Sequence, residues 1–162
     1  MLKNGVWGMN VDCFKRMYRL IDYQRRLCMC DVRNRSEWQE FSKKVSFKQL
    51  DYLMMIRLAM PCNLQQVMIL TGLSSSAASL FVDKMTSHGV VLRDQDPHDR
   101  RNILIRPGKE LLDLFDEIDS ELEHIIVKEL RNCTSDQIEA LESSCALVCR
   151  RLETINGLHV LP

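Results

Sequence analysis

The stretch "LTGLSSSAASLFVDKMTSHGVVLRDQDPHDRRNILIR" (Leu70–Arg106) decides the fold, because its periodicity changes twice within a few turns. Asn63, just upstream, can cap a short helix through about Leu70. Thr71, Gly72 and Leu73 then form a tight turn in which Gly72 takes the left-handed conformation that other side chains resist. Ser74 caps a second helix reaching His88, and Gly89 ends it. Two short helices joined by a glycine-containing turn make a helix-turn-helix.

After Gly89 the pattern becomes extended. "VVLR" and "RNILIR" are strand-like, and "DQDPHD" between them breaks pairing and makes a hairpin loop. A hairpin directly after a helix-turn-helix reads as a wing. Its loop, Arg93–Asn102, crowds three aspartates and three arginines together. At the tip, Arg100 and Arg101 suit the narrow minor groove of duplex DNA, where phosphates on both walls concentrate negative potential. Asp96 and Asp99 can orient those guanidiniums. The alternative is a solvated loop whose internal ion pairs contribute little.

The rest of the chain sets the frame. With 162 residues, 46% of them hydrophobic, it can form one domain, or two lobes sharing a core, and bury about 70% of its unfolded surface. The start carries no apolar run of signal-peptide length, and nowhere do ~18 apolar residues follow one another, so a cytoplasmic protein with no membrane partner is expected. Seven cysteines, an odd number, fit a reducing compartment with most thiols packing as small apolar groups. "CMC" (28–30) and "CALVC" (145–149) have no second ligand pair at zinc spacing; no metal or cofactor is implied.

The zero net charge conceals an asymmetry. Residues 1–62, 63–110 and 111–162 hold 12, 6 and 4 of the 22 lysines and arginines, against 6, 5 and 11 of the 22 acids. A long amphipathic helix is expected from about Gly8 to Arg33, through Met9, Phe14, Met17, Ile21 and Cys28. A second runs from Ser46 as cap to about Met60, with Leu50, Leu53, Met54 and Leu58 apolar and Pro61 limiting it. In the acidic last third, Leu111, Phe115, Ile118, Leu122 and Ile125 form one seam. Ile138, Leu141, Cys145, Val148, Leu152 and Ile155 form another, opened by Thr134 or Ser135. Such stripes bury against other helices and are too extensive for a three-helix monomer; a dimer built from the two chain ends covers them. A monomeric bundle with incidental charge bias is the alternative.

The fold class expected is mainly α with a small β-hairpin wing, a winged helix-turn-helix whose terminal helices form a dimerisation lobe. The divisions are 1–62 (N-terminal helices), 63–106 (winged helix-turn-helix) and 107–162 (C-terminal helices), with Pro107 at the first position of the helix that follows the wing.

"LTGLSSSAASLFVDKMTSHGVVLRDQDPHDRRNILI" resembles the winged-helix core of the multiple-antibiotic-resistance regulator (MarR) family, most specifically at "DPHDRR", Asp96–Arg101. The resemblance implies an obligate homodimer with intertwined terminal helices and recognition helices in successive major grooves of a pseudo-palindromic duplex. It also implies that a small molecule or an oxidant alters the spacing of the two reading heads. Carried onto this chain, Ser74–His88 is the recognition helix; Ser75, Ser76, Ala77 and Ser79 reach bases and phosphates after the cap Ser74, and Lys84 contacts a phosphate. Arg93, Arg100 and Arg101 belong to the wing, with Asp99 as partner. Leu80 stands where the family very often has arginine, which leaves the recognition helix nearly bare of positive charge. About three phosphate-contacting cations per subunit would give a slope of log affinity against log salt of about −5.

Two effector modes are open. Cys13, in "VDCFKRMY", is placed like the thiol of the family's peroxide-sensing branch, with Lys15 and Arg16 close in sequence; it can equally be a structural cysteine. Met17, Tyr18, Met54, Met55 and Met60 can line a cavity for a phenolic or aromatic ligand, or can simply be core. The expected function is a transcriptional regulator, a repressor; a winged-helix protein-interaction module with weak or lost DNA binding is the alternative, favoured by Leu80. An enzyme is not expected: no phosphate loop, paired-carboxylate cleft or Ser/His/Asp order stands out, and His88, His98, His124 and His159 are scattered.

Overall fold

A computed structural model describes residues 11–97 and 101–156. The chain runs α1 (Val11–Arg33), a 3-10 turn (Ser36–Trp38), α2 (Gln39–Lys44), α3 (Phe47–Ile56), a second 3-10 turn (Arg57–Ala59), α4 (Leu64–Thr71) and α5 (Ser75–Ser87). Strands β1 (Val91–Gln95) and β2 (Ile103–Pro107) follow, and then α6 (Lys109–Leu130) and α7 (Ser135–Asn156). The mainly helical winged helix-turn-helix expected from the sequence is what forms.

Its local signals are the caps. Ser46 and Asn63 each close a capping box, with Gln49 and Gln66 returning the bond to the cap N–H. Gly72 ends α4 at φ +70° and Gly89 follows α5 at φ +69°, both in the left-handed region that glycine tolerates. Thr134, rather than Ser135, caps α7: its Oγ1 accepts from the Gln137 N–H, and Gln137 Oε1 accepts from the Thr134 N–H.

One core joins these elements. Met29 and Val32 of α1, Phe41 of α2, Leu50, Leu53 and Ile56 of α3, Val67 of α4, Phe81 and Met85 of α5, Ile105 of β2 and Leu111, Leu114, Phe115 and Ile118 of α6 are buried together. Around it, the charge asymmetry is satisfied within the subunit. Arg35 pairs with Glu117 and Glu121, Lys44 with Glu110, and Arg57 with Asp119, so cations from the basic N-terminal third face acids of α6. Trp38 donates its indole N–H to Glu117 at 2.5 Å, and the Arg57 guanidinium lies 4.7 Å from the Phe115 ring centroid.

Three expectations need correction. The helix opened by Ser46 does not run unbroken to Met60. After Ile56 it tightens into the 3-10 turn, whose three residues per turn rotate Leu58 off the apolar face; it is 64% exposed. The segment 36–44, given no element in the sequence, is helical. Pro107 does not start a helix: it ends β2 opposite Val91, and Gly108 is the N-cap of α6. A Cβ at 108 would lie 2.3 Å from the Gly89 carbonyl oxygen and 3.0 Å from that of Val90, so the chain passes this backbone closely enough that only glycine fits without a shift. The start of the first predicted helix, Gly8–Asn10 with Met9, lies outside the described residues.

Helix α1 and the C-terminal end of the molecule keep uncovered apolar faces. Phe14, Met17, Tyr18, Leu20 and Ile21 of α1 and Leu141, Leu147, Val148, Leu152 and Ile155 of α7 are all exposed in the isolated subunit. Among the described residues no helix is long and apolar enough to cross a membrane.

Candidate nucleic-acid interface

Helix α5 buries Ala78, Phe81, Val82 and Met85 and turns the opposite face outward. Spacing explains the division: the buried positions recur at three and four residues, leaving Ser75, Ser76, Leu80, Asp83, Lys84 and Ser87 exposed. Ala77 and Ser79 are half-buried at the margins. The Ser74 hydroxyl accepts from the Ala77 N–H at 3.4 Å and lies 3.3 Å from Ser76 Oγ, so it is first of all a cap. Leu80, 70% exposed, sits in the middle of the outward face.

The helix is held from two sides. Behind it, Tyr52 of α3 meets Phe81 edge to face, with centroids 5.7 Å apart. Beside it, Arg93 of β1 pairs with Asp83, which ties the hairpin to α5. The hairpin is antiparallel, pairing Leu92 with Arg106, Arg93 with Ile105 and Asp94 with Leu104; Arg106 also bridges to Asp94 across the strands. Its inner strand has a second neighbour. Cys62 and Ile105 exchange both backbone hydrogen bonds, at 3.0 and 2.7 Å, as an isolated bridge. Burial pushes the Cys62 thiol up from an ordinary 9.0 to about 11, and burial likewise raises that of Cys28.

The sequence-predicted residues are thus partly gathered. Ser74, Ser75, Ser76, Ala77, Ser79 and Lys84 share α5, and Arg93 is beside it, engaged with Asp83 rather than extended alone. At the wing, Asp96 and Asn102 close the hairpin through a backbone hydrogen bond of 3.0 Å, and Arg101 is exposed. Asp99 and Arg100 lie outside the described residues. Of the effector candidates, Cys13, Met17 and Tyr18 are exposed on α1, while Met54 and Met60 pack against the core and Met55 is exposed. Cys145, expected to pack, is exposed on α7 within the subunit.

Sequence reasoning missed one part of this surface. A cleft of about 460 Å³ opens between α3 and α5, lined by Ser46, Lys48, Gln49 and Tyr52 on one side and Leu73, Ala77, Leu80, Phe81 and Lys84 on the other. Lys48 therefore joins Lys84 and Leu80 on one surface, its ammonium 5.8 Å from the Tyr52 ring centroid. Only the packing of two helices far apart in the chain reveals it.

Residues 45–103 match the MarR family model. Over 49 residues the chain is 41% identical to an uncharacterised HTH-type transcriptional regulator, YcgE, of Bacillus subtilis; the match covers 28% of this chain and about a third of that protein, 32%. The solved transcriptional regulator Tm0710 from Thermotoga maritima superposes with a TM-score of 0.61 at 18% identity, covering 90% of this chain and 96% of that one. A MarR family protein from Bacillus stearothermophilus gives 0.60 at 16%, covering 89% and 98%. At such identity the two structures establish the fold. The family so matched is one of regulators, not enzymes. Residues 45–103 thus fit the MarR family model, and about nine-tenths of the chain shares the winged helix-turn-helix fold of these solved proteins.

Proposed function

We propose that the chain is a cytoplasmic homodimeric transcriptional regulator, a repressor, that binds a pseudo-palindromic DNA duplex with α5 in the major groove and the wing arginines Arg100 and Arg101 in the minor groove. The observation that carries this reading is the outward face of α5. It presents serine hydroxyls, one leucine and one ammonium, with a hairpin fixed beside it by Arg93 and Asp83. Hydroxyls donate to phosphates or bases, and a wing at that position reaches the neighbouring groove. Dimerisation is supported by the uncovered stripes of α1 and α7, since exposed apolar faces of this extent mark interfaces.

Release by an oxidant at Cys13, or by a phenolic or aromatic ligand near Met17, Tyr18 and Met54, completes the reading. Cys13 is exposed in the subunit, as a sensing thiol requires. Titrating its alkylation against pH tests the oxidant branch, which fails if the thiol ionises no earlier than free cysteine.

A mobility-shift assay against the gene's own promoter region tests the core claim. The parent binds with a salt slope of about −5, and an Arg100→Ala/Arg101→Ala double variant binds more weakly. Equal binding by both refutes the wing's role. Absence of any shift leaves the second reading, a protein-interaction module, which the exposed Leu80 favours.

A further inference from the structure

The outward face of α5 has an unusual chemical inventory for a base-reading surface. Its sequence, "SSAASLFVDKMTS", contains no arginine, asparagine or glutamine, so nothing on it grips adenine through two hydrogen bonds and Lys84 is its one side chain able to do so with guanine. Asp83 is engaged by Arg93. What remains is the Lys84 ammonium at the cleft, serine hydroxyls, which discriminate weakly, and the isobutyl group of Leu80. In the major groove the one apolar feature of a base edge is the C5-methyl of thymine.

We propose that Leu80 is the specificity-determining residue of this interface, packing on a thymine methyl in each half-site, while Lys48 of α3 and Lys84 of α5 hold the phosphates flanking it. The inference rests on the DNA-binding reading above. Both lysines line the same cleft as Leu80, from opposite walls. Among the described residues neither is paired with an acid, although Arg93 and Arg106 are. An apolar protein partner seated on Leu80 would leave both ammoniums without counter-charge, whereas a duplex supplies an apolar methyl between two rows of phosphate. Against cytosine or guanine the leucine would cover polar base edges and leave them without hydrogen bonds, which is the source of discrimination.

The test uses the full chain and duplexes it selects from a random pool. Each thymine of a selected duplex is replaced in turn by deoxyuridine, which removes the methyl and keeps every hydrogen bond. At one symmetric position the replacement weakens the parent about four-fold per half-site, the equivalent of one methylene-sized group returned to water. Leu80→Ala binds the thymine duplex more weakly and no longer distinguishes thymine from uracil there. Lys48→Gln weakens all duplexes alike and makes the salt slope shallower by about one per subunit. Leu80 and Lys48 are exposed, and unchanged thermal melting shows that the variants fold. If no thymine is sensitive, or if parent and Leu80→Ala lose equally, the leucine contact is refuted while DNA binding stands. Should Lys48→Gln leave affinity and salt slope unchanged, the phosphate role of α3 is refuted. A parent that enriches no duplex overturns both this inference and the reading beneath it.

Discussion

Arg93, midway along β1, is ion-paired with Asp83 on the outward face of α5. The pair places a carboxylate on the face of α5 proposed to meet DNA, and places its neutralising guanidinium on the adjoining hairpin. Both groups are substantially exposed, so the pair contributes under about 1 kcal/mol to stability. Its larger effect is on the field presented to an anion. Arg93→Ala, which uncovers the carboxylate, is expected to weaken DNA binding about ten-fold with little change in melting temperature, and Asp83→Asn to leave binding equal or tighter. Fluorescence anisotropy at fixed salt reads both; tighter binding by Arg93→Ala contradicts the argument.

The uncovered stripe of α7 gives a second expectation. Val148 is exposed in the middle of that stripe, and Val148→Asp would put a charge into each half of a symmetric interface. At about 1.5 kcal/mol per lost apolar contact, counted twice by symmetry, self-association falls about a hundred-fold. Light scattering after gel filtration should report a dimer for the parent and a monomer for the variant; a monomeric parent refutes the dimer.

Gly108 gives a purely steric expectation. A methyl there meets the Gly89 carbonyl oxygen at 2.3 Å, and that oxygen is backbone, with no flexible end to move aside. Gly108→Ala should therefore destabilise the fold by about 1–3 kcal/mol, measured by urea unfolding. The cost would show at the junction of wing and α6 first, as faster amide exchange at Val90 and Val91.

The buried thiol of Cys62 makes an alkaline prediction. Burial raises it to about 11 in the fold from an ordinary 9.0, so the unfolded chain ionises first as pH rises. The associated stability is complete below pH 9.0 and is lost progressively toward about 11, at most about 3 kcal/mol. Cys62→Ala should flatten stability against pH in that window. In the folded parent at pH 8, alkylation should reach the exposed Cys133 well before Cys62.

Legibility in the sequence followed the range of the interactions. Ser46, Asn63, Gly72, Ser74 and Gly89 act on their own neighbours within three or four residues, and the helix ends they set formed where expected, while the far end of the helix opened by Ser46 did not. The helical segment 36–44 was missed because its anchors, Trp38 and Arg35 on Glu117 and Glu121, are some eighty residues away in sequence. Pro107 was misread because proline suits a first helical turn, whereas its place in β2 is set by pairing with Val91 and by the Gly108 N–H bonded to the Val90 carbonyl. Among the surface residues, α5 was legible from its own periodicity, but Lys48 was not: nothing in "SFKQL" tells that its lysine shares a cleft with α5.

The bridge between Cys62 and Ile105 decides where the finger can bend. Because its inner strand is gripped along both edges, the root cannot pivot independently of the segment between α3 and α4, and any tilt of that segment is transmitted outward like the throw of a lever. A change that loosens the fulcrum at residue 62 should therefore be felt at Ile105, more than forty positions further along the chain.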